Sequence, residues 1–287
     1  MRWKRLGRRS LEDAAAFLKA RERFCVGASF RFLKRTAKDR IWYLPSLPPG
    51  EKETPAMEGL LLYTGRVLFP VFGPSGGPEA FRNFPLPFNG SDLHAMQGLA
   101  SDLAPLEGFF ERRNIRVSEG ADYDLMSLEL RAAAELRRAG NPPPRGLLFR
   151  RPVYEDVEGL FPLQRGYEQE EVLPAGAEFN AAACRVKLER LVGQGRILIA
   201  ERNGIMAGKI NINAESFTRL QIGGIYVAPE FRGQGIAQDM LAAFIGELLP
   251  LGKHFTLFVR KKNPAARRVY DKAGFTKTAD YKIDYFL

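Results

Sequence analysis

Histidine and cysteine are scarce in this chain: only His94 and His254, Cys25 and Cys184 are present, each isolated from the others. The two cysteines lie in separate helix-like stretches, so they offer no disulfide framework and fit a reducing compartment. With no Cys/His cluster at metal-ligand spacing, no zinc site is expected, and no metal cofactor is predicted. Long apolar runs are missing as well. No window approaches the ~18 uninterrupted apolar residues of a membrane span, and the basic start MRWKRLGRRS leads into a charged amphipathic segment rather than an apolar signal core. The expectation is a cytoplasmic protein with no membrane partner. Neither an internal repeat of 20 to 50 residues nor a low-complexity tract is visible, apart from a distant pairing of the two halves.

The 287 residues are enough for two domains, each with its own core. The net charge of +10 is concentrated at the start, where residues 1–40 hold 13 Lys/Arg against 4 Asp/Glu. Such a patch can face an anionic partner, but no aromatic interleaving or nucleic-acid motif accompanies it. A solvated basic helix face is the competing reading, and nucleic acid is the less favoured partner.

In the first half, Ser10-Leu11-Glu12-Asp13 supplies a cap and an acidic first turn to a helix striped by Ala14, Phe17, Leu18, Phe24 and Cys25, continued around 28–34. Strands are predicted at 40–44, 59–63 and 67–72, the last two joined by the turn Thr64-Gly65-Arg66. Loops follow through 73–78 and 84–90, then a helix over 101–113, strand pieces at 114–118 and 122–130, and a charged helical tail over 131–138. The run Asn141-Pro142-Pro143-Pro144-Arg145-Gly146 reads as a stiff linker, because successive prolines forbid helix. The expected domains are therefore 1–140, a linker at 141–146, and 147–287. The second half reads as strand 147–151, helices 155–171 and 180–193, a hairpin of 196–201 and 205–214 turned by Asn203-Gly204, and final strands at 275–278 and 281–286.

The chain is organised around Gln221 to Leu249. A buried strand, Ile222 to Val227, is closed by Ala228-Pro229. A long helix begins at Ile236 with apolar positions Ile236, Met240, Leu241, Phe244, Ile245 and Leu248 on one face. Between them lies Arg232-Gly233-Gln234-Gly235-Ile236-Ala237, where glycines let backbone N–H groups converge on an anion at the positive end of the helix dipole. Neither GxGxxG nor GxxxxGK[ST] is present in the turn. A second element follows the strand 254–259: Asn263 suits an N-cap, Pro264 the first helical position, and Gly274 the left-handed residue that ends a short helix.

Arg232-x-x-Gly235-x-Ala237, together with Asn263, Tyr270 and Gly274-Phe275, resembles the GNAT superfamily of acyl-CoA N-acyltransferases. The resemblance covers 147–287 fully and 1–140 loosely, since the first half follows the GNAT order of elements but has no such turn. It implies an α/β fold with a mixed sheet: a complete GNAT domain preceded by a smaller, degenerate GNAT-like one unable to hold coenzyme A. On that footing a fragment beginning at Leu147 would keep the coenzyme site. The cosubstrate implied is acetyl-CoA and the acceptor a primary amine of a small molecule or protein. The residues implied to hold the coenzyme are Ile225, Tyr226, Val227, Arg232, Gly233, Gln234, Gly235, Ile236, Ala237, Asn263 and Arg267. Tyr270 would stand beside the sulfur as proton donor. The glutamate that many GNAT enzymes place on the core strand is replaced here by Gln221, so the base is sought at Glu171 or Glu178, with Glu170 adjacent. The competing reading is a non-catalytic acyl-CoA sensor whose basic half contacts a partner or nucleic acid.

Overall fold

A computed structural model of the chain describes residues 2–46, 57–73, 84, 92–139, 146–174 and 176–286, with the side chains of 136–139 left aside. The elements in order are β1 (Lys4–Arg5), α1 (Leu11–Ala20), α2 (Glu22–Leu33), β2 (Arg40–Pro45), β3 (Met57–Thr64), β4 (Val67–Phe72), β5 (Ala95–Leu99), α3 (Ala100–Glu111), β6 (Val117–Leu128) and α4 (Leu130–Ala139). They continue with β7 (Leu147–Arg150), α5 (Val157–Tyr167), α6 (Ala181–Gly193), β8 (Ile197–Arg202), β9 (Ile205–Glu215), β10 (Arg219–Val227), α7 (Ile236–Leu248), β11 (His254–Arg260), α8 (Pro264–Lys272) and β12 (Thr276–Phe286).

The chain forms two compact units, and they do not divide it at residue 140. Unit 1 holds Met1–Leu125, Ser216–Thr218 and Thr278–Leu287; unit 2 holds Met126–Glu215 and Arg219–Lys277. The changeovers fall inside β6 and β12. The expected linker at 141–146 lies outside the described residues except for Gly146. What moves the boundary is packing. Met126, Leu128 and Ala133 precede the proline run yet belong to the core of unit 2, so a fragment starting at Leu147 lacks three of its core residues. Conversely, Tyr281 to Tyr285 of β12 pair antiparallel with Leu99 to Ala95 of β5 in unit 1.

In unit 1 the strands β1, β2, β3 and β4 pair antiparallel in sequence, and β4 then pairs parallel with β5. One face is covered by α1 and α2 through Phe17, Leu18, Phe32, Leu60 and Leu62; the other carries Trp3, Leu103, Leu106, Phe109 and Phe110. The loop Ser216–Thr218 is held in this unit by the buried Glu22 carboxylate, which accepts hydrogen bonds from Ser216 Oγ, Thr218 N (2.9 Å) and Thr218 Oγ1 (2.6 Å).

Unit 2 is a sheet in the order β7-β8-β9-β10-β11, antiparallel except for the parallel pair β10 and β11. The strands are covered on both faces, which their period-two patterns record. Leu198 and Ala200 of β8 join Ile210, Ile212, Leu220 and Ile222 under α7, whose Met240, Leu241, Phe244 and Ile245 are buried. Ile197 and Ile199, one residue out of phase, pack against Leu160 and Leu163 of α5 and Leu188 and Leu191 of α6. The predicted helix to Glu171 ends instead at Tyr167 and continues as a π-helical turn over Glu168–Val172. The predicted pairs of strand pieces at 114–130 and 275–286 are each one continuous strand.

Candidate active site

The site begins where two parallel strands part. β10 meets β11 only over Arg219, Gln221 and the residue between, against His254 to Thr256. Beyond Gln221 the register of β10 against β9 slips twice, and between Gly223 and Tyr226 lies Gly224 in the left-handed region with φ +60°. An irregularity of this kind bends a strand and raises its local twist, which turns β10 away from β11. The opening is a cleft of about 600 Å³, with Ile225, Tyr226 and Val227 on the β10 side and Asn263, Ala266, Val269 and Tyr270 of α8 opposite.

At one end of the cleft stands the start of α7. Gly233 and Gly235 have φ of +77° and +80°, and Gly235 is the N-cap, with no side chain capping the first turn. Gly233, Gly235, Ile236 and Ala237 line the cleft, so backbone and helix dipole face it as a ready anion site. Gln234 turns away, its Nε2 directed at the Glu230 carbonyl (3.4 Å). Arg232 lies along the wall: its Nε donates to the Val227 carbonyl (3.0 Å) and its guanidinium pairs with Glu170 (2.8 Å).

The other end is polar and half-buried. Tyr270 is 8% exposed and stacks edge-on against Phe275 with centroids 6.3 Å apart. Burial, with Tyr167 and Glu171 nearby, holds its hydroxyl well above the ordinary phenol range. Asn263 uses both ends of its amide, Oδ1 accepting from Ala266 N (2.9 Å) as the α8 cap and Nδ2 donating to Glu171 Oε1 (2.9 Å). Burial raises the Glu171 carboxyl above its usual value, opposed by the positive charge of Arg260 and by the Asn263 bond. Next to it, Glu170 Oε1 accepts a 2.5 Å hydrogen bond from the Tyr226 hydroxyl, which burial and this carboxylate push up to about 12.

The structure therefore brings Glu171, Tyr270, Asn263, Arg232, Gly233, Gly235, Ile236, Ala237 and Ile225 to Val227 into one cleft. Glu178 is exposed and is not part of the lining, since it follows the π-helical turn on the outer loop. Arg267 pairs with Asp271 (3.0 Å) on the helix exterior, and Arg268 and Lys272 line the cleft in its place. The cause is the 100° step between successive helix residues, which puts Arg268 on the side of α8 that Arg267 leaves.

Sequence reasoning missed the π-helical turn that delivers Glu170 and Glu171. A faint signal was Gly166, at which any Cβ would collide with the Tyr226 hydroxyl. It also missed Lys209, fully buried on β9, because Lys-Ile-Asn-Ile-Asn over 209–213 alternates like a strand with one solvated face. Among the described residues there is no group of three or more His, Cys, Asp or Glu side chains placed to hold a metal, and no helix long and apolar enough to cross a membrane.

Residues 158–275 match the sequence family described as Acetyltransferase (GNAT) family. Over 88 residues the chain is 26% identical to the L-amino acid N-acyltransferase MnaT of Escherichia coli strain K12, covering 29% of this chain and 51% of that protein. The chain thus spans about half the length of that curated relative. Two solved structures resemble nearly the whole chain. A Drosophila protein matches with a TM-score of 0.67 at 13% identity, covering 99% of this chain and 98% of its own. A tandem GNAT protein from the clavulanic acid biosynthesis pathway matches with a TM-score of 0.59 at 14% identity, covering 98% and 97%. These identities speak for the fold, while the family match rests on the segment that contains the cleft, its turn and Tyr270. Residues 158–275 thus match the GNAT acetyltransferase family, and the chain as a whole resembles a tandem GNAT protein in fold.

Proposed function

We propose that the cleft of unit 2 binds acetyl-CoA and transfers its acetyl group to a primary amine by direct attack. The observation that carries this is the parting of β10 from β11 directly before a glycine-capped helix, with a cleft of about 600 Å³ between them. The pyrophosphate would rest on the uncapped N–H groups at Gly235 to Ala237. The acyl chain would run between the strands, where N–H groups of Ile225 to Val227 that β11 no longer meets can stabilise the developing oxyanion.

The amine nitrogen attacks the thioester carbon, the new C–N bond forms, the C–S bond breaks, and the sulfur leaves as a thiolate that needs a proton. An amine with a pKa of ~8 to ~10.4 must shed its proton first. Glu171 suits that task directly or through water, because burial raises its half-buried carboxyl above the ordinary carboxylate value and so makes it a better base. Tyr270 supports the departing sulfur. Its raised pKa keeps it protonated across the working range, so it is always in the form that can give its proton to the sulfur as the C–S bond breaks, and the tyrosinate is then reprotonated from solvent.

The named relative acts on L-amino acids, which makes an amino-acid α-amine the first acceptor to test here. The measurement is release of free coenzyme A thiol from acetyl-CoA across a panel of amino acids, polyamines and peptides. Binding is checked apart from turnover: acetyl-CoA at one hundred times Kd should stabilise the chain by about 2.7 kcal/mol. A thermal-shift series in which acetyl-CoA does no more than acetate ends the reading.

A further inference from the structure

On the face of β9 that looks toward α5 and α6, three polar residues alternate with Ile210 and Ile212: Lys209, Asn211 and Asn213. Lys209 is 0% exposed, an arrangement rare for lysine unless its amine is held on every side. Its Nζ donates to the Gly224 carbonyl (2.9 Å) and to Asn211 Oδ1 (3.2 Å), and it lies 4.7 Å from the centre of the Tyr167 ring. Asn211 Nδ2 in turn donates to Asn213 Oδ1 (2.7 Å). Gly223 and Gly224 exist to admit this row: a Cβ at Gly224 would collide with Asn211, and one at Gly223 with Asn213.

Gly224 is the residue whose left-handed backbone bends β10 out of register, and its carbonyl is the one that Lys209 grips. Tyr167, on the other side of the amine, is the last residue of α5 before the π-helical turn that carries Glu170 and Glu171. Lys209 thus connects the strand that faces the acyl group with the turn that holds the carboxylates. We infer that Lys209, braced by Asn211 and Tyr167, is a positioning residue that fixes the Gly224 carbonyl and with it the direction of the Ile225 to Val227 N–H groups on which the thioester oxygen rests. The inference depends on the acetyl-CoA reading above.

A role in stability alone predicts the opposite of what the charge balance gives. Burial, with Lys187 nearby, lowers the Lys209 pKa from 10.5 to about 7, against the pull of Glu168 and Cys184. The other groups facing it from α5, the π-helical turn and α6 are Tyr167 and the Lys187–Glu168 ion pair (2.9 Å). Between pH 7 and about 10.5 the unfolded chain binds the proton that the folded chain gives up, so stability rises with pH through that window. Removing the amine removes this penalty at pH 7.

The test compares binding of acetyl-CoA with S-ethyl-CoA, a thioether with no carbonyl oxygen, by calorimetry on the full chain. The parent should prefer acetyl-CoA about fivefold, the worth of one net hydrogen bond. Lys209→Met should bring that ratio close to one while leaving the S-ethyl-CoA affinity within about twofold and the melting temperature at pH 7 unchanged or higher. Asn211→Ala, which leaves the amine in place, should reduce the ratio in the same direction and carries the test should Lys209→Met not fold. A ratio unchanged in both variants overturns the inference, as does an equal loss for both ligands accompanied by a lower melting temperature. If the parent binds neither ligand, the acetyl-CoA reading falls first and the inference with it.

Discussion

Each unit contains a parallel pair of strands that meets for two or three residues and then gives way to a helix, and the two pairs end differently. In unit 2, β10 and β11 part over a cleft of about 600 Å³; in unit 1, β4 and β5 pair only at Val67–Leu68 with Ala95–Met96 and enclose about 10 Å³, room for one water. The side chains explain the contrast. Pro70 stands in β4 two residues past its pairing with β5, and proline has no N–H to offer a ligand. Asp102, in the first turn of α3, accepts a hydrogen bond from Phe72 N (3.3 Å), so the freed backbone is satisfied from within. Gly98 lets the strands close, since a Cβ there would stand 3.1 Å from the Pro70 carbonyl. The same backbone plan thus gives an open cleft or a sealed core according to whether its freed N–H groups are left open or used by the protein.

Three changes would break or sharpen this contrast. Tyr270→Phe keeps the ring against Phe275 and removes only the hydroxyl, so kcat for a verified acceptor should fall by roughly 10² to 10⁴ while KM for acetyl-CoA stays near its parent value. Parent-rate turnover, with chemistry shown to be limiting, would assign the proton to water and reopen the case for a non-catalytic acyl-CoA binder. Gly235→Val puts a branched side chain at φ +80°, against the space the pyrophosphate needs. Coenzyme affinity should drop by about 10² or more; calorimetry on the parent should show one site per chain, and residual binding by the variant at the parent level would mean that the turn is structural only.

The smallest effect belongs to the sealed pair. Burial raises the Asp102 carboxyl from 3.8 to about 6, against the Phe72 N–H bond. Folded, it holds its proton more tightly than unfolded, so its stability contribution is complete below about pH 4 and is lost as pH rises through about 6. Asp102→Asn keeps an acceptor for Phe72 and abolishes that loss, adding about 1–2 kcal/mol at pH 7 in a denaturant titration without altering coenzyme binding. A variant less stable than the parent at pH 7 would show that the carboxylate charge itself is needed there.

The sequence disclosed the cleft where local rules operate. Asn203-Gly204 turns its hairpin with φ of +51° and +81°, Asn263 caps α8, and Gly274 ends the helix at φ +77°. Each is a short-range demand on one residue, and the anion-binding turn at Gly235 is another. What remained hidden depends on partners distant in sequence. Two strand pieces are expected over 114–118 and 122–130, yet β6 is continuous, and at Gly120 it leaves room for the Lys282 and Asp284 side chains, which come within 3.2 Å of where a Cβ would be. Nothing in the strand around Lys209 announces that α5 and α6 will cover it. The π-helical turn that aims Glu171 has no sequence code of its own.

The strand exchange also has a consequence for how the protein is made. A nascent chain tends to fold its domains from the N-terminus as they emerge. Unit 1 cannot follow that rule to completion, because the partner that β5 requires, Thr278 onward, is synthesised only after all of unit 2. At ~5–20 residues per second, β5 spends on the order of ten seconds or more with one edge unpaired. Its protection in that interval falls to the ribosome and to chaperones, and a truncation that leaves the unit 2 cleft intact but removes residues 278–287 would leave a free edge in the other unit and favour aggregation.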